Sequence, residues 1–342
     1  MANFNLDILS KGLPKFVAKI ETEQPVDTFL STVLFGGPAI MGSENMDMVA
    51  YDWRKKNPSL AEEAVRGADP TRMNYNSNFN SEVITPNYYH MVDEVGLAEA
   101  ENRVWGEEIS AESNTQARVT RIFAEKVGGI RQSLEMAKEQ MAADAIFNAQ
   151  VVNEAGTQTF PMKASLLNVS GANLTTKFLE VISKANEAVR KENKAFRATA
   201  LIMNPDDAIA LVKALGDLIN KETYALGNVA FGQMNNGCVA CGTVNTPAGT
   251  IAIYAYYGTN ASGVNYIPKG KAILYGSRLG SFVYGRVRAN ENGVPCYRVQ
   301  TERMTAYQKG NGDMAHYEVE YQTAPLPVIT NIDGYCVLTS IS

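Results

Sequence analysis

One long amphipathic helix most strongly constrains the fold of this chain. Between about residues 113 and 150, apolar residues recur at steps of three and four, which aligns them in one stripe. A helix of this length extends on the order of 55 Å at 1.5 Å per residue, about three times the usual length. No heptad repeat of charges indicates a coiled coil. The helix must therefore lie along a structure that is nearly as long.

Two adjacent glycines, Gly128 and Gly129, lie inside this predicted helix. Each glycine costs about 1 kcal/mol relative to alanine in a helix interior. Glycine pairs are also among the recognised causes of a sharp kink. The pair therefore needs a reason, which is either close packing or a requirement that the helix bend.

A long polar excursion precedes the helix. The strand-like runs MDMVAYDW and SEVITPNYYHMVDEV flank roughly 30 polar residues that contain proline, glycine and many asparagines. Unstructured loops longer than about 15 residues are usually functional or disordered. The pattern predicts a long projecting hairpin or loop that serves as a contact arm.

A compact α/β unit is predicted from about 163 to 270. Helical patterns cover 174–193 and 204–216, and strand patterns cover 198–204 and 250–258. Asn204 is expected to cap the second of these helices, with Pro205 at its first position.

The chain after Lys271 consists of strand-like runs. Asn292-Gly293 is the strongest short hairpin signal in the sequence. Pro325 and Pro327 are expected to break one strand before another starts.

The residues that usually carry catalysis are scarce. The only histidines are His90 and His316, so neither a histidine-based triad nor a three-histidine zinc site can form within one chain. Cys238 and Cys241 have a spacing that could serve redox chemistry or half a zinc site, with Cys296 and Cys336 as distant partners. Buried neutral thiols are the default expectation for these four cysteines.

Adjacent carboxylates also lack the geometry of a catalytic pair. Sequence neighbours do not face each other on a helix or a strand, so we expect capping or solvation instead. The pairs concerned are Glu62-Glu63, Glu107-Glu108 and Asp206-Asp207.

No ligand site is predicted by motif. GVNYIPKGKA lacks the glycine spacing of a phosphate loop, and GSRLGSFVYG fails the dinucleotide fingerprint. The tyrosines of YAYY and YEVEYQ are expected to pack in sheets rather than stack on ligands. A net charge of -5 without long basic clusters argues against a sequence-specific nucleic-acid surface. We therefore predict no enzyme activity, cofactor, metal or membrane span.

The order of these parts resembles a known family. An N-terminal arm, a long hairpin, a long helix, an inserted α/β domain and terminal strands follow one another along nearly the whole chain. The likeness is strongest in YIPKGKAILYGSRLGSFVYG and in HYEVEYQTAPLPVITNIDGYCVLTSI. This sequence resembles the major capsid proteins of tailed bacteriophages, and among them the lambda-like major capsid protein E family.

The resemblance implies an α+β Hong Kong 97-type capsid fold with four parts. They are an N-terminal arm (1–44), an extended E-loop with its flanking strands (45–95), a peripheral domain with the spine helix (96–162 with 271–342) and an axial domain (163–270).

The resemblance also implies a function and partners. Pentamers and hexamers would form an icosahedral head that encloses double-stranded DNA without sequence-specific contacts. A separate scaffolding protein and a portal protein are expected partners, and a decoration protein at three-fold positions also fits. The shell would assemble in the bacterial host cytoplasm, and the protein would then be part of the virion.

Three finer expectations concern a crosslink, an alternative function and the spine helix. Lys55 or Lys56 would be the candidates for the covalent crosslink that some relatives form, although no motif fixes its partners. A bacterial nanocompartment shell of the encapsulin type is the alternative function. Immature shells of this fold bend the spine helix, so Gly128 and Gly129 are predicted to form a hinge.

Overall fold

The structure is a computed structural model, and every structural statement below concerns the residues that it describes. These residues are 26–44, 47–56, 77–95, 115–154, 156–160, 166–219, 226–227, 236–246, 249–291, 294–309 and 316–341.

Three α-helices are present in this part of the chain. Helix α1 covers Thr115–Asn148, α2 covers Phe178–Glu192 and α3 covers Pro205–Ile219. The 34 residues of α1 give a length of about 51 Å. Both of its ends lie within two residues of the predicted ones, and the helix continues through Gly128 and Gly129. The prediction of one long helix is therefore confirmed.

The strands are short and numerous, and we number them in chain order. They are β1 (Ile40–Met41), β2 (Val49–Lys56), β3 (Ser77–Ile84), β4 (Tyr89–Val95), β5 (Gln150–Asn153), β6 (Gly156–Thr159), β7 (Asn168–Ser170), β8 (Ala200–Met203), β9 (Leu226–Gly227), β10 (Cys238–Thr246), β11 (Gly249–Tyr256), β12 (Lys271–Tyr275), β13 (Gly280–Tyr284), β14 (Arg286–Glu291), β15 (Val294–Val299), β16 (Arg303–Lys309), β17 (His316–Thr323), β18 (Pro325–Ile329) and β19 (Tyr335–Thr339).

A seven-stranded mixed sheet organises the predicted α/β unit. Its strand order is β7-β19-β12-β8-β11-β10-β9. Helices α2 and α3 pack against it around fully buried residues such as Phe178, Leu201 and Leu211. Strands β12 and β19 belong to the terminal part of the chain, so the sheet crosses the predicted boundary at residue 270. Their buried residues, including Leu274 and Leu338, complete the same core.

Helix α1 packs against two different structures along its length. Ile130 and Leu134 contact Tyr321 of the three-stranded sheet β16-β17-β4. Closer to its C-terminal end, Ala142 and Ile146 are completely buried and lie in the main hydrophobic core. The helix therefore lies along an extended support, as its length requires.

The prediction of one strand over residues 81–95 is wrong in one respect, because the structure has two strands there. Strand β3 pairs with β2, whereas β4 pairs with β17. The break contains Pro86, which has no backbone N–H to continue a ladder. Residues on both sides of the break are rich in strand-forming types, which concealed the change of partner.

The two prolines near the C-terminus also behave differently from the prediction. They lie inside β18, and the preceding strand ends at Thr323. Strand β18 is at the edge of a sheet of order β1-β13-β18. Pro325 and Pro327 are two residues apart, so their backbone nitrogens face the same way, toward the unpaired outer edge of the sheet. Neither missing N–H group therefore interrupts the pairing with β13.

The Asn292-Gly293 hairpin prediction agrees with the strands on either side. Glu291 pairs with Val294 in the antiparallel ladder of β14 and β15, which leaves two connecting residues. Asn292 and Gly293 themselves lie outside the described residues.

Candidate functional site

The base of the predicted arm is fixed to α1 by one buried carboxylate. Residues 30–34 form a short helical turn whose first two backbone N–H groups point at Glu139. Leu30 N donates to Glu139 Oε1 at 2.7 Å, and Ser31 N donates to Oε2 at 2.8 Å. The hydroxyl of Tyr256 on β11 donates to Oε1 as well. Glu139 therefore joins the arm base, the long helix and the central sheet.

The environment of Glu139 acts on its charge in two directions. The side chain is fully buried, and this burial raises its pKa. Hydrogen bonds from Tyr256, Ser31 and Leu30 act in the opposite direction, because they favour the carboxylate. A buried acid is tolerated here because three donors satisfy it.

Much of the arm base is part of the core. Phe29, Leu30, Leu34 and Phe35 are buried in the main cluster. Strand β1 then pairs in parallel with β13. Within the predicted arm of residues 1–44, the segment from Phe29 onward is therefore attached, and residues 1–25 lie outside the described part of the chain.

The two glycines of α1 have no packing role within the described chain. A Cβ atom added at Gly128 or Gly129 would meet no heavy atom within 4 Å. Gly129 also lines a cleft of about 400 Å³, which lies between the arm base at Asp27 and a loop near Asn260. Close packing against the described residues is therefore not the reason for the pair.

A local hydrogen bond further weakens α1 at this point. Ser133 Oγ donates to the carbonyl oxygen of Gly129 at 3.1 Å. Serine hydroxyls that bond to the carbonyl four residues earlier often accompany bent helices. Glycine and serine thus combine two of the features that facilitate bending.

The outgoing end of the predicted E-loop is held by two ion pairs. Arg286 of β14 binds Asp47 with two nitrogens, and its guanidinium lies 4.1 Å from the ring centroid of Tyr297. The hydrogen bond from Arg286 lowers the pKa of Asp47. Arg298 of β15 binds Glu44 at 3.1 Å. The β14–β15 hairpin therefore fixes the point where the loop leaves the subunit.

The returning end is held by the small β5–β6 hairpin that follows α1. Thr85 N donates to Gln158 Oε1 at 2.9 Å, and Asn153 Nδ2 donates to the carbonyl oxygen of Thr85 at 3.0 Å. Asn87 Nδ2 donates to the carbonyl oxygen of Val152 at 2.9 Å. Between these two fixed ends, β2 and β3 pair from Val49–Ile84 to Lys56–Ser77, and residues 57–76 lie outside the described part.

The cysteines are not arranged for redox or metal chemistry. Cys238, Cys241 and Cys336 are buried on strands of the central sheet. Burial raises the pKa of Cys238 and of Cys336 to about 12, which keeps both thiols neutral near pH 7. Cys296 is partly exposed on β15.

Of the predicted carboxylate pairs, only Asp206-Asp207 falls in the described residues. Asn204 Oδ1 accepts from Asp206 N at 3.1 Å, which confirms the predicted cap of α3. Asp206 binds Lys269 at 3.2 Å, and Asp207 accepts from Gly270 N at 2.8 Å. These acids fix a loop to a helix start. Glu62-Glu63 and Glu107-Glu108 lie outside the described residues.

Sequence reasoning missed Glu139. A signal for it was present, because Glu139 shares a helix face with Ala142, Ala143 and Ile146, at three, four and seven residues. A single acid on the apolar face of a helix indicates a buried partner. The partners themselves lie 108 to 117 residues away in sequence.

No helix among the described residues is both long enough and apolar enough to cross a membrane.

Two solved capsid structures have a similar fold. A capsid protein of a prophage of E. coli CFT073 is 15% identical and has a TM-score of 0.53, over 77% of this chain and 80% of that one. The capsid protein of cyanophage A-1(L) is 12% identical with a TM-score of 0.51, over 96% and 97%. At these identities the likeness concerns the fold alone.

An encapsulin is also similar, but at a lower level. The SrpI encapsulin of Synechococcus elongatus PCC 7942 is 12% identical with a TM-score of 0.43, over 100% of this chain and 97% of that one. That score is too low to support the nanocompartment alternative. A comparison with curated proteins finds no match.

The family is established by sequence. The sequence model of the family described as phage major capsid protein E matches residues 15–340, which is nearly the whole chain. The arrangement of helices and sheets is the α+β fold of Hong Kong 97-type phage capsids. The chain therefore belongs to the phage major capsid protein E family.

Proposed function

We propose that this chain is the shell subunit of an icosahedral phage head and assembles through pentamers and hexamers around double-stranded DNA. The family match over residues 15–340 carries the proposal. A net charge of -5 suits an inner wall that contains DNA, because strong neutralisation of phosphates would hold the DNA and impede its movement. The role is structural, without catalysis or cofactor.

The fixed bases of the arm and the E-loop support a role between subunits. Glu139 holds one base, and Arg286 with Arg298 holds another. A segment that projects from a fixed base without a core of its own gains stability by lying across a neighbour. In this proposal residues 1–25 and 57–76 contact adjacent copies.

Further partners follow from the proposed function. We propose a separate scaffolding protein, a portal protein and a decoration protein as partners, with assembly in the host cytoplasm and no membrane step. The four-part division into arm, E-loop, peripheral domain and axial domain is proposed with the boundaries given above, and the central sheet connects the last two.

We also propose that Gly128 and Gly129 form a hinge in the spine helix. The open space around both positions, the adjacent cleft and the bond from Ser133 to Gly129 support this proposal. A hinge lowers the free energy of bending, so one subunit can fit both the immature and the expanded lattice.

Assembly can be measured directly on the expressed chain. We expect size-exclusion chromatography and negative-stain microscopy to show capsomers, shells or tubes when the scaffolding protein is supplied. Packaged DNA and a head-sized particle would distinguish a phage shell from a nanocompartment that holds an enzyme. A chain that stays monomeric with its scaffold present would refute the proposal.

A further inference from the structure

One face of the β16-β17-β4 sheet brings together an imidazole and two carboxylates. Glu94 of β4 lies directly opposite Glu318 of β17 in the antiparallel register. His316 is two residues from Glu318 on the same strand, so its side chain is on the same face. Two strands that are far apart in sequence thus supply three side chains that commonly bind metals.

The facing carboxylates of this register favour a cation between them. Like charges directly opposite each other on paired strands are destabilising. Glu318 is only 6% exposed, so water screens its charge poorly. The ammonium of Lys309 lies 2.7 Å from Glu318 Oε1 and supplies one positive charge. The Lys309 side chain is 62% exposed, so water can hydrate its ammonium when another cation takes its position.

Two of the three donor spacings are close to those of a tetrahedral metal site. His316 Nε2 lies 3.3 Å from Glu318 Oε1 and 3.6 Å from Glu94 Oε2. The three donors all lie within 4.8 Å of one another. Ligands about 2.0–2.1 Å from a tetrahedral Zn²⁺ lie about 3.3–3.4 Å apart. The two measured spacings are therefore close to those that zinc would impose.

We propose that Glu94, His316 and Glu318 bind a divalent transition metal of the Zn²⁺ class. The imidazole nitrogen selects against Mg²⁺ and Ca²⁺, which prefer oxygen ligands only. Water completes the tetrahedron. The bound ion displaces the ammonium of Lys309 and links β4 to β17. Because β4 follows the returning end of the E-loop along the chain, the metal would hold this strand against β17.

The test is a calorimetric titration of the full-length unassembled subunit with zinc chloride. We expect one Zn²⁺ per chain, and binding weakened more than about tenfold in Glu94→Gln and in His316→Gln. Glu94 is exposed, so we expect the Glu94→Gln variant to fold even if the His316→Gln variant does not. Lys309→Met is expected to bind Zn²⁺ several-fold more tightly, because the competing ammonium is gone.

The other histidine provides the matched control. His90 lies on the same face, 2.7 Å from the carboxylate of Glu320, and no second acid among the described residues forms an ion pair with it. His90→Gln is expected to bind zinc within about twofold of the parent. No zinc binding by the parent would overturn the proposal, and so would binding that survives both Glu94→Gln and His316→Gln. If only Cys296→Ser lost zinc binding, the metal would be bound by a thiol, and this result would also refute the proposal.

Discussion

Replacing Glu139 by alanine is expected to lower the free energy of unfolding by about 3–5 kcal/mol. The change leaves three buried donors, on Leu30, Ser31 and Tyr256, without their acceptor. Each unsatisfied buried donor costs about 1–3 kcal/mol, and the lost side chain leaves a cavity. The desolvation cost of the buried carboxylate is removed at the same time, which offsets part of this sum. Urea unfolding of the unassembled subunit, followed by circular dichroism, measures the difference.

An exposed glutamate on another helix is the control for this variant. Glu187 of α2 is paired with Lys191 at 3.3 Å, and both side chains are mostly exposed. Its replacement by alanine is expected to change the free energy of unfolding by less than about 0.5 kcal/mol. A Glu139→Ala variant as stable as the Glu187→Ala variant would show that the arm base is held by its apolar residues alone.

The double replacement Gly128→Ala with Gly129→Ala is expected to act in opposite directions on the subunit and on the shell. An added Cβ meets no atom of the described residues within 4 Å at either position, so the isolated subunit gains about 2 kcal/mol from the higher helix propensity of alanine. The stiffer helix resists bending, so assembly of the immature shell or its expansion is impaired. Urea unfolding and negative-stain microscopy measure the two effects.

A third helical glycine separates propensity from hinge bending. Gly216 in α3 also has no atom within 4 Å of an added Cβ. Gly216→Ala is therefore expected to stabilise the subunit by about 1 kcal/mol and to leave assembly unchanged. If the double variant assembles and expands as the Gly216→Ala variant does, then the glycines are not a hinge.

Local patterns predicted the elements whose signals lie in consecutive residues. The period of α1 extends over more than eight turns, so both ends could be located within two residues. Asn204 and Pro205 mark the start of α3 by capping chemistry that needs no distant partner. Asn292-Gly293 likewise predicted the pairing of β14 with β15.

Features that depend on distant partners could not be predicted in the same way. Pro325 and Pro327 are compatible with a strand only because β18 is at a sheet edge, which sequence does not reveal. Both halves of the run over residues 81–95 are strand-like, although they pair with different strands. Glu139 could be recognised as unusual on an apolar face, but nothing local indicates the backbone of residues 30 and 31 as its partner.

An electron cryomicroscopy reconstruction of the shells that form with the scaffolding protein tests the central claim most directly. The arm and the E-loop are proposed to act between copies, from bases fixed by Glu139 and by Arg286. We expect closed icosahedral particles in which residues 57–76 of each copy lie across an adjacent copy. Particles in which this segment packs only against its own subunit, or a chain that forms no shell, would contradict the account.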